Sequence, residues 1–313
     1  MLRLCMYRKL LFTLGLVFIG SAPALADPPA GLHRQSLNIS PLGRGAYVVT
    51  GGIANTGFVV GEQSIIAIDP QMFVKDAREQ LAAMAGISPK PVSTMILTHS
   101  DMDHVFGLPG WPKNIKIIAQ ENTKADIKDV MAGKGPPTAT PMPVPDGMET
   151  YLPTHLVRHH DEMEIDGVRI ILTHLSAGHT NGDLLVYLPD HKVAFAGDLL
   201  TIGDPNLPNG GLYPVIHLEK HGSSLGWIKI MKAALELDAN FFIGGHGPQP
   251  VGRGALEAAV AATEKRRSEI KKLFNEGRSL AEIKVELNDA PKTGPLAFFP
   301  TFIETTYREL LQE

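Results

Sequence analysis

The sequence predicts an α/β layered sandwich. Short β-rich runs gather in two separate stretches, helical periodicity flanks each, and a knot of potential metal ligands follows one buried strand. The first stretch, 36–68, holds three runs separated by glycines: Gly45 to Val49, Thr56 to Val60 and Ser64 to Ile68. Asp69-Pro70 ends the third run, and residues 73–85 then show helical spacing with Phe73, Ala77, Leu81 and Met84 on one face. The apolar run Val92 to Leu97 reads as a buried strand. Trp111-Pro112 to Ile118 reads as a loop and strand, and Glu121 to Met131 as a helix.

Residues 133–153 carry Pro136, Pro137, Pro141, Pro143, Pro145 and Pro153 with Gly133, Gly135 and Gly147, a composition that excludes regular structure. This is a long loop, either a lid over a site or an ordered surface crossover. The second half then repeats the style of the first. Val168 to Leu172, Leu184 to Leu188 and Val193 to Ala196 read as strands, Gly222 to Leu237 as a helix, and Phe241 to Ile243 as a last buried strand. Beyond Gly252, residues 255–274 form one amphipathic helix, with Leu256, Val260, Ala261 and Ile270 inward and the charge run Glu264 to Arg267 outward. Ser279 with Glu282 is a capping-box pair opening a short helix, and Phe302 to Leu311 closes the chain with another. The organisation expected is a signal peptide over 1–26, a single domain over 27–250, and a helical extension over 251–313 packed on that domain.

The amino-terminal expectation rests on Arg3, Arg8 and Lys9, an apolar run from Leu10 to Ile19, and Ala24-Leu25-Ala26 as a cleavage site. The apolar run is too short and interrupted for a membrane span, so a periplasmic or secreted protein with no membrane attachment after cleavage is expected. The only cysteine, Cys5, leaves with that segment. This rules out disulfides, a cysteine nucleophile and cysteine-ligated zinc, and leaves His and carboxylates as metal ligands. Cleavage also leaves 26 Lys and Arg against 33 Asp and Glu, a net charge of about −7. Nucleic acid is excluded as a partner, because its binding depends on clustered cations that neutralise phosphate. A small-molecule substrate is the expectation.

Thr98-His99-Ser100-Asp101-Met102-Asp103-His104 places four potential ligands, His99, Asp101, Asp103 and His104, at the end of the Val92 strand. Crowding this tight favours two adjacent ions sharing the segment over one. In the alternative, Asp103 caps a helix starting near His104 while His99 and Asp101 are solvated. Three later sites sit at strand ends or in glycine turns: Gly178-His179-Thr180, Gly197-Asp198-Leu199 and Gly245-His246-Gly247. Each is weak alone, but in this order they are strong together.

Over residues 36–250 this order resembles the metallo-β-lactamase superfamily, with its His-x-His-x-Asp-His, His, Asp or Cys, His pattern on one four-layer αββα domain. The resemblance implies that His99, position 101 and His179 hold one divalent ion, that Asp103, His104 and His246 hold a second, and that Asp198 bridges them. Asp101 departs from the pattern, since most members have histidine there. A third carboxylate is a harder, more negative ligand, so zinc comes first but iron or manganese enters; the other reading puts Asp101 behind the ligands.

Two such ions would lower the pKa of a shared water toward neutrality and polarise a substrate oxygen, with Asp103 orienting the nucleophile or delivering a proton. The expected function is an exported metal-dependent hydrolase of a small ester, lactone, thioester or β-lactam. A diiron-type redox enzyme of the same fold and a phosphodiesterase are the alternatives. Thr201 stands where a drug-gripping lysine is often near in true β-lactamases, which argues against antibiotic hydrolysis. Asp69 is either a partner of a ligand imidazole or a helix cap. His217 and His221, four residues apart after the Asp198 loop, either line the pocket or form a further ligand pair. Trp111 is either an apolar wall or simply buried.

Overall fold

The structure is a computed structural model, described for residues 35–134, 142–289 and 299–312. The signal-peptide expectation over 1–26 and the tip of the Pro-rich loop lie outside the described residues.

The first β-rich stretch builds a seven-stranded sheet whose strands lie side by side in chain order. These are β1 (Gln35–Gly43), β2 (Ala46–Gly52), β3 (Thr56–Val60), β4 (Ile65–Ile68), β5 (Val92–Ile96), β6 (Lys116–Gln120) and β7 (His155–Val157). Short turns make β1 through β4 antiparallel. From β4 to β7 the pairing is parallel, which needs crossovers, and α1 (Val74–Ile87), α2 (Met102–Val105) and α3 (Glu121–Met131) lie in them. All four residues of β4 are buried, as expected of a parallel strand covered on both faces.

The second sheet contains β8 (His160–Ile165), β9 (Val168–Thr173), β10 (Leu185–Leu188), β11 (Val193–Gly197), β12 (Phe241–Gly244) and β13 (Val251–Gly252), adjacent in sequence order. Only β11 and β12 pair in parallel, bridged by α4 (Ser224–Leu235). The β8 segment HDEMEI reads as polar and was not expected as a strand; it is an edge strand that offers only Met163 and Ile165 to the core.

Three apolar layers show how the sheets stack. Val48, Val59, Ile66, Ile96 and Ile118 of the first sheet meet Ile170, Leu172, Val186, Phe195 and Ile243 of the second across a shared interior. The other face of the first sheet packs through Phe58, Met95 and Ile117 on Ala77 and Met84 of α1 and Ile127 of α3. On the second sheet, Tyr187, Ala194 and Phe242 pack on Trp227 and Met231 of α4 and on Leu256 and Val260 of α5 (Arg253–Asn275). The order is helix, sheet, sheet, helix, the αββα sandwich.

Beyond it, α6 (Leu280–Glu286) and α7 (Phe302–Leu310) pack on the far end of α5 around Ile270, Ile283 and Ile303. Both begin at full capping boxes, Ser279 with Glu282 and Thr301 with Glu304.

Three helical details differ from the sequence expectation. Ala261 is exposed, and Arg267, placed on the solvated face, is buried with its Nε donating to Ser224 Oγ at 3.1 Å. Its neighbour Arg266 lies 5.2 Å over the Tyr213 ring and donates to the Leu287 carbonyl, so half of the charge run braces the helical extension. In α1 the inward face includes the polar Asp76 and Gln80 beside Ala77 and Met84, and Gln80 Oε1 accepts from Thr56 Oγ1. The described part of the Pro-rich loop is a crossover packed on the first sheet's core through Met148 and Tyr151. Trp111 is buried there too, its Nε1 donating to the Pro70 carbonyl.

Candidate metal centre

β5 ends at Ile96 among parallel neighbours, and Leu97 prolongs the ladder by donating to the Ile118 carbonyl. The chain then turns away from the sheet at Thr98, and Asp69 at the end of β4 governs that turn. Its Oδ1 accepts from the Thr98 amide at 2.8 Å, and its Oδ2 accepts from Thr98 Oγ1 at 2.7 Å and lies 2.8 Å from His104 Nδ1. Asp69 therefore orients an imidazole and caps no helix. The capping alternative for Asp103 also fails: α2 starts after Asp101, which makes no side-chain cap bond, and its single turn lifts Asp103 and His104 toward His99.

The second sheet supplies the remaining groups from three turns. Buried Asp183 accepts from the Gly178 and Thr180 amides and from Thr180 Oγ1, which fixes the loop that presents His179. Asp198 follows β11 at Gly197 and His246 follows β12 at Gly245. A Cβ on Gly245 would fall 1.9 Å from Asp198 Oδ1, so only glycine lets this backbone pass the carboxylate. Asn55 of the first half clamps the same turn: its amide donates to the Gly245 carbonyl at 2.7 Å, and its Nδ2 to the Gly244 and Gly247 carbonyls.

All seven expected residues come together. Ligand-type atoms of His99, Asp101, His179 and Asp198 lie within 4.8 Å of one another, as do those of Asp103, His104, Asp198 and His246. Asp198 belongs to both groups. His246 Nε2 is 3.1 Å from Asp103 Oδ2 and 3.2 Å from Asp198 Oδ2, and His104 Nε2 is 3.0 Å from Asp198 Oδ1. In the other group His179 Nε2 is 3.1 Å from Asp101 Oδ2, and His99 Nε2 is 3.7 Å from it. Ligands at zinc bond lengths around a tetrahedron stand about 3.3–3.6 Å apart, so these spacings suit a common ion. His99 Nε2, His104 Nε2 and Asp198 Oδ1 are sealed from solvent without a well-formed hydrogen bond, an arrangement that costs free energy unless a cation takes the lone pairs.

The electrostatics point the same way. Burial pushes the Asp198 carboxyl up, but His246 and His104 outweigh it and hold it well below the carboxylate range. Conversely, burial lowers His104, yet Asp198, Asp103 and Asp69 raise it well above an ordinary imidazole. Asp103 is lowered and His246 raised, in each case against the effect of burial, by the same charges. Three carboxylates at one point demand positive charge, as protons or as cations.

Two further side chains enter: Lys220, which no sequence motif singles out, and His217, which the sequence sets at the pocket or in a pair with His221. Lys220 Nζ donates to Asp101 Oδ1 at 2.5 Å and to Ser100 Oγ, which in turn donates to Asp126 Oδ2. Burial raises the Asp101 carboxyl, but Lys220 and His217 overcome this and hold it well below the usual range. His217 is buried with Nε2 3.3 Å from Asp101 Oδ2, whereas His221 is exposed and in a left-handed conformation, so the two form no ligand pair. Lys220 has no local motif that would have found it. Asp183, four residues after His179, was likewise passed over.

Comparison with known proteins agrees. The profile of the Metallo-beta-lactamase superfamily matches residues 49–246, which contain every residue of the two groups. The chain belongs to the metallo-β-lactamase superfamily. Within it, the chain is 25% identical over 225 residues to the 2,4-dinitroanisole O-demethylase subunit alpha of Nocardioides sp., which covers 71% of this chain and 61% of that one. It is 22% identical to a linear primary-alkylsulfatase of Pseudomonas sp., over 64% of this chain and 43% of that one. The chain thus spans less than two thirds of either curated relative. Among solved structures, a stereoselective inverting sec-alkylsulfatase from Pseudomonas sp. aligns with TM-score 0.66 and 20% identity, over 88% of this chain and 50% of that one. A metallo-β-lactamase from Pontibacter korlensis aligns with TM-score 0.57 and 17% identity, over 73% of this chain and 99% of that one. At such identities the structural matches speak for the fold. A superfamily fold with these His and Asp groups makes the protein a metal-dependent enzyme, and the groups suit divalent ions.

Proposed function

We propose that the protein is an exported, periplasmic or secreted hydrolase that uses two divalent ions, zinc first, to cleave a small ester-type substrate without nucleic-acid or membrane partners. In this reading His99, Asp101 and His179 hold one ion, Asp103, His104 and His246 the other, and Asp198 both. The observation that carries it is the sharing of the Asp198 carboxylate by two ligand groups, which suits ions close enough to act on one water. Such ions supply Lewis acidity: a water acidic enough to attack at neutral pH, and polarisation of the oxygen on the bond to be cleaved.

The chain's own residues do the rest. Asp69 holds His104 by Nδ1, which leaves Nε2 as the ligating nitrogen, and the Val215 carbonyl does the same for His179. Asp103 is the most open of the three carboxylates, at 19% against 14% for Asp101 and 9% for Asp198. It is thus the group to accept a proton from water and pass it to the leaving oxygen or nitrogen. Iron and manganese fall behind zinc because Lys220 offsets the charge that Asp101 adds.

Ester, lactone, thioester and β-lactam remain the substrate classes. The alkylsulfatase and O-demethylase relatives add alkyl sulfates and aryl methyl ethers to those worth testing. The test is elemental analysis of purified protein together with turnover of lactone, thioester, β-lactam, phosphodiester, alkyl sulfate and aryl methyl ether substrates. Two zinc ions per chain and hydrolysis of at least one class are expected. Iron with visible absorption and no hydrolysis would overturn the reading in favour of redox chemistry.

A further inference from the structure

Beside Asp101, which the proposed function places on the first ion, the structure sets an imidazole that the proposed ligand set does not use. Three imidazole Nε2 atoms converge on Asp101 Oδ2: His179 at 3.1 Å, His217 at 3.3 Å and His99 at 3.7 Å. Ligands of one zinc ion stand about 3.3–3.6 Å apart, and the His217–Asp101 separation fits that spacing, although His217 lies outside the set of His99, Asp101, His179 and Asp198, whose ligand atoms are all within 4.8 Å of one another. The His217 ring also stands 4.6 Å from that of His179, edge to face, as two imidazoles pointing at one centre do.

The other ring nitrogen repeats a pattern. Metal-binding imidazoles give one nitrogen to the ion and the other to an acceptor that fixes the tautomer. His99 Nδ1 meets Thr98 Oγ1, His104 Nδ1 meets Asp69, and His179 Nδ1 meets the Val215 carbonyl. His217 Nδ1 is closely paired with the Glu219 carboxylate, so it too has a fixed ring with Nε2 turned inward. Phe299 packs edge to face on the His217 ring at 4.8 Å and limits its rotation.

We infer that His217 is a further ligand of the first ion, reaching it beside His179 and Asp101 Oδ2. The inference rests on the metal-dependent reading above. Lys220, three residues on in the same turn, holds Asp101 Oδ1 and cancels its charge, leaving Oδ2 for the ion. One turn, 217–220, thereby brings both an imidazole and a cation to Asp101. A plain imidazolium bridging Asp101 and Glu219 makes opposite predictions, because such a group competes with the cation.

The test is metal binding by the full chain, read by elemental analysis, by competition with a chromophoric chelator and by the visible spectrum of the cobalt(II) form. His217→Ala is expected to weaken one of two sites by more than the roughly 10–100-fold that loss of an outer partner costs. It should also shift the cobalt spectrum, and added imidazole should restore both. Glu219→Gln should weaken the same site less, and His221→Ala should change nothing. His217→Gln covers the case in which alanine unfolds the loop, with the same loss expected in a protein whose circular dichroism is unchanged. Two ions bound with unaltered affinity and spectrum in His217→Ala or His217→Gln would overturn this assignment and leave the proposed function standing. A wild-type protein that binds no ion would overturn the metal-dependent reading itself, and His217 with it.

Discussion

The two ligand groups are built differently. Asp103, His104 and His246 are each presented by a sheet end or by the one-turn α2 that follows it. The group around His99 and His179 includes Asp101, whose charge is balanced by Lys220, 119 residues away, on a turn that belongs to neither sheet. The turn is held from outside the sandwich. Ser224 just after it donates through amide and hydroxyl to Glu309 of α7, and Arg267 of α5 donates to the same hydroxyl. A site on sheet ends inherits its precision from the core, whereas a site on a loop needs a separate brace, which the helical extension provides.

The largest expected effect falls on the residue both groups share. Asp198→Ala should remove both ions and abolish turnover, while His246→Ala should remove chiefly the second ion and reduce turnover at least 100-fold; elemental analysis beside the rate assay separates them. Equal loss of both ions in His246→Ala would break the division into two groups. Next comes the buried Asp101–Lys220 pair. Asp101→Asn should cost about 3–5 kcal/mol, because Lys220 is left buried and uncompensated, and Asp101→Asn with Lys220→Met should recover much of it in urea unfolding. An additive double variant would show that the two do not depend on each other.

Smaller effects sharpen the contrast. Asn55→Ala removes the clamp on the His246 turn and should cost about 1–3 kcal/mol while weakening the second ion more than the first. Glu309→Gln should leave the second ion alone and weaken the first only slightly, by about 0.5–1 kcal/mol through a looser 217–224 segment. Metal titration of each variant checks both. If Glu309→Gln disturbed the second ion equally, the helical extension would not be a brace for one group alone.

Much of the scaffold was legible because its signals are local. The β4 and β5 runs, the Glu121–Met131 helix and the Ser279 capping box are contiguous patterns, and each lies within a residue or two of its expected place. The residues that gather in the two His and Asp groups were legible for a related reason: four fall in six residues, and three sit beside glycines at strand ends. What escaped was whatever depended on distant partners. Lys220 reads as an ordinary solvated lysine until the fold sets it against Asp101, and Arg267 reads as part of an outward charge run until α4 and α7 close over it. The β8 edge strand escaped because an edge needs few apolar residues, and HDEMEI offers two.

His99, Asp101, Asp103 and His104 come from the end of one sheet, and His179, Asp198 and His246 from turns of the other. Divalent ions held by both groups would tie the halves together, and the unfolded chain offers no such grip. Each one then adds RT ln(1 + [L]/Kd) to stability, about 2.7 kcal/mol at a free concentration a hundredfold above Kd. The melting temperature of this protein would thus depend in part on the free divalent metal in the buffer. Stripping with a chelator lowers it before any residue is changed.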